Sequence, residues 1–329
     1  MADGRDRRDF LKQLVRDVAR AASELDEALR DSAEPEESLG SLFPEPAAGE
    51  QAVLPAPPTT RTATGDDLRG LCRELGLEPW ADAAVAAARA SIRLTPATGA
   101  TRSRLGGAPA LPPAFDWPSW DGGPLDLLLQ VALDELPPSA LQPTGTLLVF
   151  FAAARAPDGT RPEHGGACRV ALVDGEPPRR ERPGTLPEVP LVASGELTLP
   201  LEPVDAAAGP CDYEGWLDLR SRLAGLQGIV VADESPDYLA LHRLLGHPDA
   251  LAEPMDEDAA LVAAGIDLDS PEADRPQTRA EAPSWRLLAQ LSADPSLGVA
   301  FGLHERLFVW IREADLRRGR FDRVHAFVR

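Results

Sequence analysis

Three cysteines and five histidines are the side chains of this 329-residue chain best suited to nucleophilic or metal chemistry. Cys72, Cys168 and Cys211 are odd in number, far apart and never paired as CxxC. That usage fits a reducing compartment and speaks against a zinc or iron–sulfur site. Cys168 follows His164 across a Gly-Gly turn, but a Cys/His nucleophile also needs a third group to orient the base, and the sequence offers none. His304 and Glu305 are adjacent, with no second ligand at metal spacing. His242 and His247 flank the turn Arg243-Leu244-Leu245-Gly246-His247-Pro248. With Asp249 and Glu253 they could hold a metal or move a proton; turn and packing contacts are the plainer reading. There is no phosphate loop, dinucleotide fingerprint, HExxH or GxSxG elbow. No catalytic residue, metal ligand or cofactor is assigned, and the chain leans away from an enzyme.

Gln130 and Gln290 are each the one polar residue in an otherwise apolar run, Leu127–Val131 and Leu287–Leu291. A buried amide left without partners costs about 1–3 kcal/mol, so each must be hydrogen-bonded. Tying down a neighbouring loop would satisfy both. The alternative is a ligand contact, with Gln130, Gln290, His242 and His247 lining a pocket between two related halves.

Those halves are visible as a diverged repeat. Leu127–Val131 aligns with Leu287–Leu291, Asp134 with Asp294, and Leu147–Phe151 with Leu307–Ile311, all at one offset. Upstream, Arg104-Leu105-Gly106-Gly107-Ala108-Pro109 resembles Arg243–Pro248. Asp134 and Asp294 read as turn-capping carboxylates. The elements that carry these residues are β-type runs between Gly- and Pro-rich turns: Leu125–Val131, Thr146–Ala152, Arg169–Val173, Glu196–Leu201, Gly228–Ala232, Trp285–Leu291, Leu307–Ile311 and Arg323–Val328. Helices are expected after Asp66 and Asp67 up to Gly76, from Trp80 to Ser91, over Tyr213–Leu226 and over Met255–Ala264. Strands and helices do not alternate, so the expected class is α+β. The expectation is two diverged β-rich repeats, at about residues 96–205 and 228–329, packed as one pseudo-symmetric domain over 65–329 with flanking helices.

Ahead of this body the chain changes character. Leu11, Val15, Val18, Ala22, Leu25 and Leu29 step by four and three residues, the stripe of a short amphipathic helix over residues 1–31 that docks on its own body or on a partner. Residues 32–64 are rich in Pro, Ala, Glu and Ser and read as a flexible linker. Arg7-Arg8-Asp9-Phe10-Leu11-Lys12 matches a twin-arginine core, but charged residues occupy the apolar stretch such a signal needs. A cytoplasmic location is therefore expected.

The repeat residues also carry a family resemblance. Ser103–Pro109 with Leu111-Pro112, Trp117-Pro118, Pro124-Leu125 and Leu128-Leu129-Gln130 resembles the first half of the YwqG-like bacterial family. His242–Pro248, Trp285–Asp294 and Phe308–Ile311 followed by Asp315-Leu316 and Phe321 resemble its second half, with His247 in place of the usual aromatic. The resemblance spans roughly residues 66–329. It implies an α+β fold of two related sheets and a domain of unknown function, some relatives being suggested as immunity or accessory proteins beside toxins.

Charge narrows the partners. The formal net charge is −20, from 33 basic and 53 acidic side chains. An acidic chain of this kind lacks the clustered cations that bind a phosphate backbone, so nucleic acid is not an expected partner. No 18-residue apolar run is present to span a membrane. Lys12 is the single lysine and asparagine is absent, which matches a GC-rich bacterial genome and removes weight from each Arg-for-Lys choice. The expected function is a non-enzymatic interaction or accessory protein with a protein partner, immunity-like towards a basic toxin in its sharpest form. The alternative is a small-molecule-binding protein or enzyme with a pocket between the repeats.

Overall fold

The computed structural model describes residues 61–139, 141, 144–229, 241–249, 255–274, 280–293, 298, 301 and 306–329. The expected N-terminal helix, with Leu11, Val15, Val18, Leu25 and Leu29, lies outside these residues, as do Glu253, Asp294, His304 and Glu305. The body begins earlier than residue 65. Thr62 Oγ1 donates to the Gly195 carbonyl at 2.9 Å, the Ala63 N–H reaches Gln227 Oε1 at 3.3 Å, and Ala63 is buried.

Thr64 opens helix α1 (Gly65–Glu74) through a capping box with Asp67. Helix α2 (Ala81–Ala87) stops before the expected Ser91, because the chain turns extended at Ala88. Helix α3 (Tyr213–Leu226) is capped by Asp212, whose carboxylate accepts from the Gly215 N–H at 2.9 Å. These three helices share one apolar cluster around Leu68, Cys72, Ala84, Cys211, Trp216, Leu219 and Leu223. Helix α4 (Met255–Ala263) packs on a separate aromatic cluster, and α5 (Glu313–Arg317) is a single short turn.

Ten strands form one antiparallel sheet. They are β1 (Arg89–Pro96), β2 (Arg104–Gly106), β3 (Asp126–Ala132), β4 (Thr146–Phe151), β5 (Cys168–Val173), β6 (Glu188–Thr198), β7 (His242–Leu245), β8 (Trp285–Ser292), β9 (Arg306–Arg312) and β10 (Val324–Val328). Their order is β10-β9-β8-β7-β1-β6-β2-β3-β4-β5. The central β1–β6 pair runs unbroken from Arg89↔Thr198 to Pro96↔Leu191. On either side the same succession unfolds: β2, β3, β4, β5 one way and β7, β8, β9, β10 the other. Registers agree as well. Arg104 faces Gln130 across β2–β3, and Arg243 faces Gln290 across β7–β8. Bulges fall at Leu127/Leu129 and at Leu287/Ala289.

Strands β3, β4, β8 and β9 are buried along nearly their whole length, which is why they read as continuous apolar runs and not as alternating ones. The sheet curls until its terminal strands β5 and β10 come back into contact, enclosing a core that draws on both flanks, with Leu129, Leu148 and Phe151 beside Leu288, Leu307 and Val309. The contact between β5 and β10 is not a ladder. The segment 158–166 lies along the seam: the Asp158 carbonyl accepts from the Val328 N–H at 3.1 Å, and His164 Nδ1 is 3.2 Å from the Asp158 carboxylate. Gly159 makes this approach possible. Its φ is +81°, and a Cβ there would sit 1.9 Å from the Ala326 carbonyl oxygen.

Gly159→Ala is therefore expected to open the seam and cost at least about 2 kcal/mol. Urea unfolding of the two proteins measures this; an unchanged midpoint would show that segment 158–166 does not hold the sheet together.

Candidate functional site

Two places hold the polar groups of interest, and the first is the pair of strand glutamines. Gln130 Oε1 accepts from Arg104 Nη2 at 2.8 Å and from the Ala110 N–H at 2.9 Å, while Nε2 donates to the Arg102 carbonyl at 2.9 Å. Gln290 repeats the pattern: Oε1 accepts from the Asp249 N–H at 2.8 Å, and Nε2 donates to the Leu241 carbonyl at 3.2 Å. Each amide thus grips the backbone two residues before and six residues after the facing arginine. Arg104 donates to the Ala108 carbonyl and Arg243 to the His247 carbonyl, four residues on in both cases. The Ser103 hydroxyl accepts from the Ala132 N–H, and His242 Nδ1 accepts from the Ser292 N–H at the matching place.

The turn after each arginine needs two successive left-handed residues. Gly106 and Gly107 supply them after β2, with φ of 58° and 72°. After β7 the pair is Leu245 and Gly246, at 61° and 79°, so a leucine occupies a conformation that glycine adopts freely. Gly246 has no room for a side chain, since a Cβ would lie 2.6 Å from Ser91 Cβ. The two arginines are buried and meet acidic side chains from β6. Arg243 Nε stands 3.0 Å from Glu196 Oε1, and Arg104 Nε stands 3.7 Å from Glu188. Burial pulls the Arg104 and Arg93 guanidiniums below their usual range.

The structure gathers Gln290, His242, His247 and Asp249 around one turn and places Gln130 at the other. In the sheet the two glutamines are separated by β7, β1, β6 and β2. Both amides, and His242 and His247, are buried. His247 Nε2 bonds the Ala87 carbonyl at 2.8 Å, and the Asp249 carboxylate stands 3.9 Å from both Arg220 and Arg306. Asp134 does not cap a turn as expected; it pairs with Arg102 at 2.5 Å. Burial drives the Cys168 thiol up to about 12, and His164 faces Asp158.

The second place went unrecognised in the sequence. A cleft of about 690 Å3 opens between three stretches of chain: Phe115, Asp116, Trp117, Pro118 and Ser119; Arg169 to Leu172 on β5; and Gly319 to Asp322, which lead into β10. Phe115 and Trp117 pack on Phe150, with ring centroids 6.4 and 5.7 Å apart. Trp117 is fixed by its indole N–H, which donates to the Leu125 carbonyl at 2.9 Å. Arg180 and Arg182 stack on the same indole. Arg182 pairs with Asp126 and Arg320 with Asp315. Arg169, Asp116 and Asp322 are exposed on the cleft and make no ion pair with any described residue. The aromatic pair Phe115/Trp117 was the available signal in the sequence. Its partner walls lie far along the chain and meet only once the sheet has curled.

Two measurements test the buried turns. Gln290→Leu orphans the Asp249 N–H, whereas the Leu241 carbonyl keeps its bond from Ser292 Oγ. The expected cost is about 1–3 kcal/mol, and Gln130→Leu costs more because it also removes an acceptor of Arg104. Urea unfolding ranks the two; the reverse order would refute the pairing described. Burial, with Arg89 next, holds the His247 imidazole down at about 4, from an ordinary 6.5. The folded pKa lies below the unfolded one, so the unfolded chain binds the extra proton between these values. The stability His247 contributes is present above pH 6.5 and is lost as pH falls towards 4. His325, also held down at about 4 chiefly by burial, acts in the same direction. Urea midpoints from pH 7 to 4 are expected to fall less steeply in His247→Gln than in the parent; parallel slopes would contradict the assignment.

No curated protein matches this chain. A family model does: the one described as "Domain of unknown function (DUF1963)" matches residues 103–328, more than half of the sequence and nearly all of the sheet from β2 onward. The chain belongs to the DUF1963 family of domains of unknown function.

Proposed function

We propose that this chain is a non-enzymatic interaction protein whose body binds a protein partner through the cleft at the seam of the sheet. The observation that supports this is the cleft itself. It presents aromatic surface at Phe115 and Trp117 beside charges at Arg169, Asp116 and Asp322 that no described residue neutralises. The strand glutamines suit a structural part, since their amides are spent on backbone groups. The buried Cys168 thiol, held at about 12, is a poor nucleophile.

On this reading the body is a duplicated β-unit of the YwqG-like kind. The matched registers, which set an arginine opposite a glutamine on both flanks, and the matched bulges support the duplication. The net charge of −20 favours a basic partner, as an antagonised toxin would be, by speeding encounter. A small-molecule ligand is the second reading. It is favoured by the cleft volume of about 690 Å3, inside the roughly 300–1,000 Å3 typical of ligand pockets.

A photo-crosslinking amino acid placed at Ser119 in the full chain, in its native cell, tests the proposal. The expected result is one discrete protein adduct that Arg169→Glu weakens at least about fivefold, the loss of one charge-assisted contact. Adducts from a distant exposed site such as Leu217 alone would remove the cleft as the interface. A bound small molecule in the native mass spectrum, with no protein adduct, would favour the second reading.

A further inference from the structure

We infer that the cleft receives an extended segment of the partner as an added β-strand, laid along the free edge of β5 towards the chain entering β10. This rests on the cleft being the binding site. Successive side chains of a strand point to opposite faces, so a groove over one face touches alternate residues. Here four consecutive residues, Arg169 to Leu172, line the cleft, the pattern of a cleft that opens along the edge of the strand.

That edge is unpaired among the described residues. β5 is the last strand of the sheet and bonds only to β4, from Thr146↔Val173 to Phe151↔Cys168. Residues 168–173 make no other backbone–backbone hydrogen bond among the described residues. Every second residue of β5 therefore presents an N–H and a C=O to the cleft. An open edge of this kind is a template for another strand.

The opposite wall completes the slot. Gly319 to Asp322 run directly into β10, the other terminal strand of the sheet. Segment 158–166 bonds the end of β10 at Val328, and the cleft lies by the chain that enters β10, at Gly319 to Asp322. A segment entering there continues the antiparallel ladder that the protein leaves unfinished.

Side chains set the chemistry of the occupant. Phe115 and Trp117 form an apolar shelf on the third wall, which takes one apolar side chain. Asp116 and Asp322 carry free carboxylates on the cleft, and the whole chain is strongly acidic. Arg169 is the cation of the β5 wall. The occupant is thus an extended, net basic stretch with one apolar residue for the shelf, basic residues for the two aspartates and one acidic position for Arg169.

The test uses the full chain and a displayed library of random twelve-residue peptides, with the enriched peptides resynthesised and measured by fluorescence anisotropy. The expected binder is net basic, and N-methylation of its backbone weakens binding about tenfold at every second position, with little effect between them. Asp322→Lys, an exposed change that breaks no described contact, weakens it by a similar factor. If Asp322→Lys and Arg169→Glu weaken binding but N-methylation shows no two-residue period, strand addition is wrong and the cleft remains the site. If neither substitution nor N-methylation matters, the peptide binds elsewhere and both readings fail. A library with no enriched peptide overturns strand addition.

Discussion

A sheet that curls must deal with its two ends. Each terminal strand carries a row of N–H and C=O groups that no neighbour satisfies, and these groups invite pairing with other chains. A closed barrel removes the problem by joining the ends. Here β5 and β10 meet but do not pair. One stretch of the seam is covered by segment 158–166, which reaches β10 through Asp158 and fits against it because residue 159 is glycine. The remaining stretch is bordered by Phe115–Ser119 and Gly319–Asp322, with a cleft of about 690 Å3 between them among the described residues. The cleft is thus the part of the edge that the described residues leave uncovered.

Closing such a sheet also requires that both flanks hold their curvature. The two buried strand glutamines act there. Each links a short strand, β2 or β7, to the long apolar strand beside it and to the turn that follows. Those turns adopt two successive left-handed residues, which steer the chain sharply away from the strand. Buried arginines are costly unless their protons find acceptors. The Ala108 and His247 carbonyls accept from them, and the Glu188 and Glu196 carboxylates stand nearby as counter-charges, 3.7 Å from Arg104 Nε and 3.0 Å from Arg243 Nε. Bulges at the same point of β3 and β8 add local twist to both flanks.

The sequence made much of this legible where burial is complete on both faces. Strands β3, β4, β8 and β9 stand out as unbroken apolar runs, and α3 was expected over the residues it occupies. The central strand β1 did not stand out. It reads Arg89-Ala90-Ser91-Ile92-Arg93-Leu94, and its polar residues signal an exposed face, yet Ser91 and Arg93 are buried. Their partners, Glu196 and the Gln227 carbonyl, come from distant elements that no local pattern foretells. The Arg104 and Arg243 segments were read as turns because their strands are only three and four residues long. The glutamines were found because a lone amide in an apolar strand must be paired. The cleft was missed because each wall, taken alone, is an ordinary turn or strand.

The two flanks differ most at the places their registers match. Phe150 on β4 faces Arg169 on β5, and Trp310 on β9 faces His325 on β10, each pair standing at the same position relative to its bulge and its glutamine. Around Trp310, helix α4 packs down through Met255, Ala259 and Ala260, and Trp285 and Trp310 are almost wholly buried. Burial holds the His325 imidazole down at about 4, so that side chain stays neutral beneath the helix. Around Phe150 no helix packs among the described residues. An irregular stretch carrying Phe115 and Trp117 covers the ring, and Arg169 is exposed beside it. The space along β5 lies on the flank covered by this irregular stretch. Matching registers thus carry a buried aromatic surface on one flank and an open, charged groove on the other, and the two differ in what covers Trp310 and Phe150.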